Sequence, residues 1–203
     1  MPRKMYQRIF QSFLFSCTPL LFIASSSFSQ TKTNLEVFYT LVDSSVNQFI
    51  NTSNPASKIK VEMNSGDVYT VFNNQLLGDL KAKGITYSVD KSDNLPVLSY
   101  TVDKTFTQYT NIFRDGFLGS FLVQREISLK GNYLYSVSGK KEFAFSNTDT
   151  VKVDDIKNLE NVSYKFTNGT IPPEPFFTGL FEPVVALGTA AAAVILFFTV
   201  RSK

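Results

Sequence analysis

The chain has 203 residues, 43% of them hydrophobic, with a formal net charge of +3 and no histidine. A chain of this length forms one domain by default, and without histidine it has no Ser-His-Asp triad, no Cys-His pair and no histidine metal site. Residues 30–182 contain fifteen basic and seventeen acidic residues, a net charge of −2, so the positive charge belongs to the two ends and no nucleic acid partner is predicted.

The first 29 residues are typical of a secretory signal peptide: basic residues, then an apolar stretch over 13–24, then small residues. Cleavage is expected between Ser29 and Gln30. Two alternatives remain open, namely that Cys17 is the lipidated cysteine of a lipoprotein, or that the leader stays uncleaved as a second anchor. Cleavage before Gln30 would leave a mature chain without cysteine and therefore without a disulfide.

The first half of the expected domain alternates helices with strands. Apolar residues at steps of three and four predict helices over 35–50 and 68–80, the second of which ends at Gly84. Alternation of apolar and polar residues predicts strands over Lys58–Met63 and 85–89. The domain is therefore expected to open with a helix-strand-helix-strand unit.

The second half of the domain is rich in Val, Tyr and Phe, which favours longer strands. These are expected over 95–104, 121–130, 133–145 and, at an edge of the sheet, 162–166. Gly131-Asn132 is expected to form a tight hairpin turn. Residues 30–166 are thus predicted to form a two-layer α+β sandwich, a mostly antiparallel sheet of five or six strands with two helices on one face.

The C-terminal end contains an uncharged, apolar run of 18 residues, Pro183 to Val200. At 1.5 Å per residue such a helix spans about 27 Å, close to the thickness of a bilayer core. We therefore predict one transmembrane helix here, joined to the domain by a proline-rich stalk over 167–182. Arg201 and Lys203 orient the helix with its tail in the cytosol.

This topology places the domain outside the cytosol and residues 201–203 inside. The absence of a disulfide framework favours a bacterial inner membrane with a periplasmic domain. The membrane helix also contains small residues four apart, which allow helices to approach closely. These pairs are Ala186 with Ala190 and Gly188 with Ala192. The alternative is an alanine-rich helix without a neighbouring helix.

Few segments suggest chemistry. Residues 90–94 resemble the start of a calcium loop but lack its glycine and terminal glutamate, so an ordinary turn is expected. Residues 114–119 hold two glycines, but no Lys-Ser/Thr follows and no helix opens, which excludes a phosphate loop. Phe117 and Leu118 in this loop are candidates for contact with a protein partner. No metal and no cofactor are predicted.

Three functions are compatible with these features. The first is a non-enzymatic, membrane-tethered interaction or assembly subunit of a larger envelope complex, with other envelope proteins as partners. The second is a carrier of a lipid or other amphiphile, in which the sheet and helices enclose an apolar pocket. The third is a Ser-Lys hydrolase, which would need a buried lysine beside a serine.

Overall fold

The computed structural model describes residues 31–88, 94–116, 119–173 and 178–201, with side chains described for 183–199 in the last range. Short 3-10 turns lie at Asp67–Tyr69, Val153–Asp155 and Lys165–Thr167. The helices and strands follow in chain order: α1 (Asn34–Ser53), β1 (Lys58–Met63), α2 (Val71–Ala82), β2 (Thr86–Ser88), β3 (Val97–Arg114), β4 (Phe121–Tyr135), β5 (Gly139–Lys152), α3 (Ile156–Leu159) and α4 (Thr178–Arg201).

The five strands form one sheet in the order β2-β1-β3-β4-β5. The α+β prediction is therefore confirmed, but the sheet is mixed. β1 runs parallel to both of its neighbours, whereas β3, β4 and β5 form an antiparallel meander. The parallel pairing of β1 with β2 follows from the connection between them, because α2 provides the crossover that parallel neighbours require.

α1 begins and ends at local signals in the sequence. Thr33 and Glu36 form a capping box, in which each side chain accepts a hydrogen bond from the other residue's backbone N–H. Asn54 ends the helix in the left-handed conformation, with φ of 41°. The helix predicted over 35–50 is thereby confirmed with slightly wider bounds.

The main core lies between the sheet and the two helices α1 and α2. Phe38 of α1 and Phe72 of α2 are buried, and the ring of Phe166 packs against both at centroid distances of 5.2 Å. The strands contribute the inward faces of β1, β3, β4 and β5 to the same cluster. Aromatic rings thus form a large part of the core between the sheet and these two helices.

The prediction of a hairpin turn at Gly131-Asn132 is wrong, because β4 continues through both residues to Tyr135. A Cβ atom on Gly131 would lie 2.3 Å from the carbonyl oxygen of Thr101 and 2.5 Å from the ring of Phe143. Glycine therefore permits close packing inside a strand here. The turn lies at residues 136–138, and the left-handed φ of 82° at Gly139 closes it.

The edge strand predicted over 162–166 is also wrong. Val162 is 92% exposed, and the segment forms turns that end in the 3-10 turn Lys165–Thr167. The buried hydroxyl of Thr167 accepts a hydrogen bond from the N–H of Asn161 and lies 2.8 Å from the carbonyl oxygen of Tyr164. This local bonding folds the segment on itself and keeps it out of the sheet.

α4 has 24 residues, includes Pro183, and contains the predicted span. Its described side chains, 183–199, are exposed. None of the helices in the described ranges combines the length and hydropathy needed to cross a bilayer, so the predicted span receives no support from this structure.

Candidate functional site

The free edge of the sheet at β5 is the main candidate site. β5 has 14 residues and pairs with β4 along its whole length, from Tyr135 opposite Gly139 to Leu122 opposite Lys152. No described strand pairs with its other side. An edge of this kind carries a row of backbone N–H and C=O groups that can bind another strand.

The two edges of the sheet differ in length. The opposite edge is β2, which has three residues and pairs only with β1. Very short edge strands are a common protection against unwanted pairing. The sheet therefore offers only one long edge within the described residues, and that edge is β5.

The middle of β5 also lacks the features that usually block strand addition. It has no proline, and its register with β4 is unbroken, in contrast to the two register shifts between β3 and β4. Its middle segment, Phe143–Thr148, has six residues without a charge. Charges lie only at its ends, so the middle of the edge is open to a partner strand.

α1 occupies the beginning of this edge and shows which backbone groups point outward. The side-chain amide of Gln48 donates to the carbonyl oxygen of Glu142 at 3.0 Å, and the ammonium of Lys141 donates to the carbonyl oxygen of Thr52 at 2.9 Å. Backbone groups alternate sides along a strand, so the even-numbered residues of β5 direct their N–H and C=O groups to the free edge. From Ala144 onward no described strand pairs with this edge, and Ala144, Ser146, Thr148 and Thr150 are exposed.

An ion pair between a buried arginine and a partly exposed aspartate holds the far end of the edge in place. Arg125 of β4 is fully buried and forms a bidentate pair with Asp149 of β5, at 2.8 and 2.5 Å. The same guanidinium donates to the side-chain oxygen of Asn34 and to the carbonyl oxygen of Lys32. Two hydrogen bonds thus fix β5 to β4, and two more fix Arg125 of β4 to Asn34 at the start of α1 and to Lys32 before it.

Further polar groups extend this cluster to the end of the domain. The side-chain amide of Asn34 donates to the hydroxyl of Tyr109 at 2.8 Å and to the carbonyl oxygen of Thr167 at 2.6 Å. Burial raises the pKa of Tyr109 to about 12, although the hydrogen bond from Asn34 partly opposes the shift. Each polar group has a partner, so the cluster is a structural clamp rather than a reactive site.

A second candidate is a shallow groove of about 380 Å³ on the outer face of the sheet, opposite the helices. Lys104 and Lys130 lie directly opposite each other across β3 and β4, and neither has an ion pair among the described residues. Phe106, 39% exposed, lies beside them, and Glu126 lines the same groove. Two adjacent cations next to an exposed ring suit an anionic group with an apolar attachment.

Within the described residues, the structure brings none of the predicted site residues together into a site. Ser29, Gln30, Phe117, Leu118 and Lys203 lie outside the described residues, as do the side chains of Val200 and Arg201. Pro183 lies within α4, and the small-residue pairs of that helix are exposed with no described neighbour. The calcium-loop segment 90–93 also lies outside the described residues.

Neither a metal site nor a Ser-Lys dyad gains support. The described residues contain no group of three or more acidic, histidine or cysteine side chains placed to hold a metal ion. None of the described lysines is buried, whereas a catalytic lysine needs a desolvated environment.

Sequence reasoning missed the buried arginine and the free edge. One signal for the first was present, because Arg125 occupies an inward position between Val123 and Ile127, where a charge requires a partner. The free edge had no such signal, because strand order depends on contacts between distant segments.

No protein-family model and no curated protein matches the sequence. Among solved structures, a minor lipoprotein from Acinetobacter baumannii is 11% identical, and the alignment covers 67% of this chain and 94% of that chain with a TM-score of 0.35. Rare lipoprotein B from Shewanella oneidensis is 12% identical over 68% of this chain and 98% of that chain, also with a TM-score of 0.35. Likenesses this loose do not establish a shared function.

Proposed function

We propose that this chain is a non-enzymatic interaction subunit of the bacterial cell envelope, and that it binds a protein partner by adding a strand to β5. The observation that carries the proposal is the long, unbroken edge of β5, which has no proline, no bulge and an uncharged middle. Backbone hydrogen bonds would supply affinity, and the alternating side chains would supply specificity.

The envelope location rests on the two ends of the chain. The predicted signal peptide would export the domain, and α4 carries exposed apolar side chains that need a covering surface. We propose that lipid provides this surface and that α4 attaches the domain to a membrane. The exposed apolar residues of α4 include Val184, Leu187, Val194, Ile195, Leu196, Phe197 and Phe198.

Strand addition can be tested by site-specific photocrosslinking. A photoreactive residue replaces Thr148 in the full chain, which is studied in its native membrane. The same chain then also carries either Ser146→Pro or Ser146→Ala. Both variants lose the serine hydroxyl. Ser146→Pro also removes one backbone N–H from the free edge, whereas Ser146→Ala keeps it. The crosslinked species should be lost with proline and kept with alanine. Equal capture by both variants would contradict strand addition.

A second candidate function is binding of an anionic amphiphile, favoured by the groove at Lys104, Lys130 and Phe106. This location differs from the pocket between sheet and helices that the sequence suggested. The test is sedimentation with vesicles of phosphatidylcholine alone or mixed with phosphatidylglycerol. Lys104→Gln combined with Lys130→Gln should reduce the binding gained from the anionic lipid, whereas Lys140→Gln combined with Lys157→Gln, elsewhere on the surface, should not. Equal losses for both double variants would indicate general charge attraction.

A further inference from the structure

The nature of the partner strand can be inferred from the charges on β5. This inference rests on the proposed function, because it names the occupant of the same edge. We infer that the strand added to β5 is β5 of a second copy of this chain, which runs antiparallel with Asn147 opposite Asn147 of the second copy. The product would be a twofold-symmetric dimer with one continuous sheet of ten strands.

The first constraint is the direction in which side chains point. Directly opposed residues of antiparallel strands lie on the same face of the sheet, so self-pairing must join odd residues with odd and even with even. The twofold axis therefore passes beside one residue of β5. Even-numbered residues direct their backbone groups outward, so the ladder bonds of the dimer would come from Ala144, Ser146, Thr148 and Thr150.

The second constraint is charge. Two of the five charged residues of β5 are already engaged, because Asp149 pairs with Arg125 and Lys141 donates to the carbonyl oxygen of Thr52. The remaining three have no ion pair among the described residues. They are Lys140, Glu142 and Lys152.

Only certain positions of the axis match these free charges. With Asn147 at the axis, Glu142 of each copy lies opposite Lys152 of the other, which makes two ion pairs per dimer. Moving the axis to Ser146 places Lys140 opposite Lys152, a repulsive pair. Placing it at Phe145 sets Lys141 opposite Asp149, both of which already have partners in their own copy. The free charges therefore select the register at Asn147.

The other opposed residues on the outer face suit this register. Ser146 would lie opposite Thr148, and Ala144 opposite Thr150, so small and hydroxyl side chains meet on the outer face. Gln48 already occupies the carbonyl oxygen of Glu142, so backbone pairing would end there while the side chain of Glu142 remains available. Glu142 of each copy thus pairs with Lys152 of the other, and the uncharged residues 146–148 of the two copies meet at the axis.

Disulfide capture tests the register directly. Asn147 would form a non-hydrogen-bonded pair with its symmetry mate, at a Cα separation of roughly 4.5 Å, which a disulfide can bridge. The full chain with Cys17→Ser and Asn147→Cys, in detergent under mild oxidation, should give a covalent dimer. Thr150→Cys is the control, because it lies on the same exposed strand but would be six residues out of register. Equal yields for the two cysteines would overturn this register.

Charge exchange gives an independent test. Glu142→Lys or Lys152→Glu alone removes both ion pairs of the symmetric dimer. Each should therefore raise the Kd of the dimer about tenfold, as measured by sedimentation. The double variant Glu142→Lys with Lys152→Glu should restore association, because each ion pair is re-formed with reversed sign. Both residues are exposed, so the fold should be unaffected. A double variant no tighter than the single variants would overturn the inference.

The inference and the proposed function can fail separately. A monomeric chain whose capture of another protein is abolished by Ser146→Pro would exclude the second copy as partner while supporting strand addition at β5. A dimer that is insensitive to Ser146→Pro and to both charge variants would exclude β5 as its interface.

Discussion

The ion pair between Arg125 and Asp149 is the most constrained polar feature at the residue scale. Arg125 has no exposed surface, whereas the side chain of Asp149 keeps 38% of its exposure. A buried guanidinium needs a counter-charge and hydrogen-bond acceptors, because water does not solvate it. Removal of the carboxylate would therefore leave an uncompensated charge inside the domain.

Asp149→Asn should lower the free energy of unfolding by about 3 kcal/mol, because it removes the counter-charge of the buried Arg125 while it keeps the side-chain shape. Urea denaturation measures this change. Glu142→Gln is the matched control on the same strand, since that carboxylate is exposed and unpaired in the described chain, and its effect should stay below about 0.5 kcal/mol. Similar losses for the two variants would show that the buried pair has no special role.

Because Tyr109 is buried, the free energy of unfolding should fall at alkaline pH. Burial raises its pKa to about 12 in the folded state, above its ordinary value of 10.0. A raised pKa means that the stabilisation is complete below about pH 10 and is lost as the pH rises toward 12. Tyr109→Phe should therefore lose less stability than the parent chain between pH 10 and pH 12, as followed by urea denaturation. An identical decline would contradict this assignment.

At the scale of the element, β5 is a strand with two different sides. Even-numbered residues direct their N–H groups to solvent and odd-numbered residues direct theirs to β4. Proline has no N–H, so its cost along β5 should alternate from one residue to the next.

Ser146→Pro should cost little stability, about 1 kcal/mol or less, whereas Asn147→Pro should cost about 3 kcal/mol because it removes a ladder bond to β4. The two substitutions are adjacent and both positions are exposed, which makes each the control of the other. Thermal unfolding of the full chain in detergent measures both. The reverse order would mean that the orientation inferred from Gln48 is wrong.

For the whole molecule, the exposed apolar side chains of α4 are the feature that requires a covering surface. We expect Val194→Lys combined with Phe198→Lys to release the chain from the membrane during alkaline carbonate extraction, because both cations would lie on one apolar helix face. Val194→Ala combined with Phe198→Leu keeps the face apolar and should remain bound. Retention of the lysine variant would indicate that another part of the chain provides the attachment.

Local patterns were sufficient for several elements. The apolar spacing of three and four in α1 and the alternation in β1 each involve residues within one segment, and the structure confirms both elements. Local patterns failed at Gly131 because glycine there serves a contact with Phe143 and Thr101, on neighbouring strands. A sequence motif cannot distinguish that use of glycine from a turn.

The sequence by itself determined the α+β class, the two helices on one face and the absence of histidine chemistry, because these depend on composition and short-range periodicity. Only the tertiary structure decided that the sheet is mixed, that Arg125 meets Asp149, and that β5 lies at an edge where no other described strand pairs with its outer side. These features depend on which distant segments become neighbours, and pairing between strands leaves no mark in the spacing of residues along one strand.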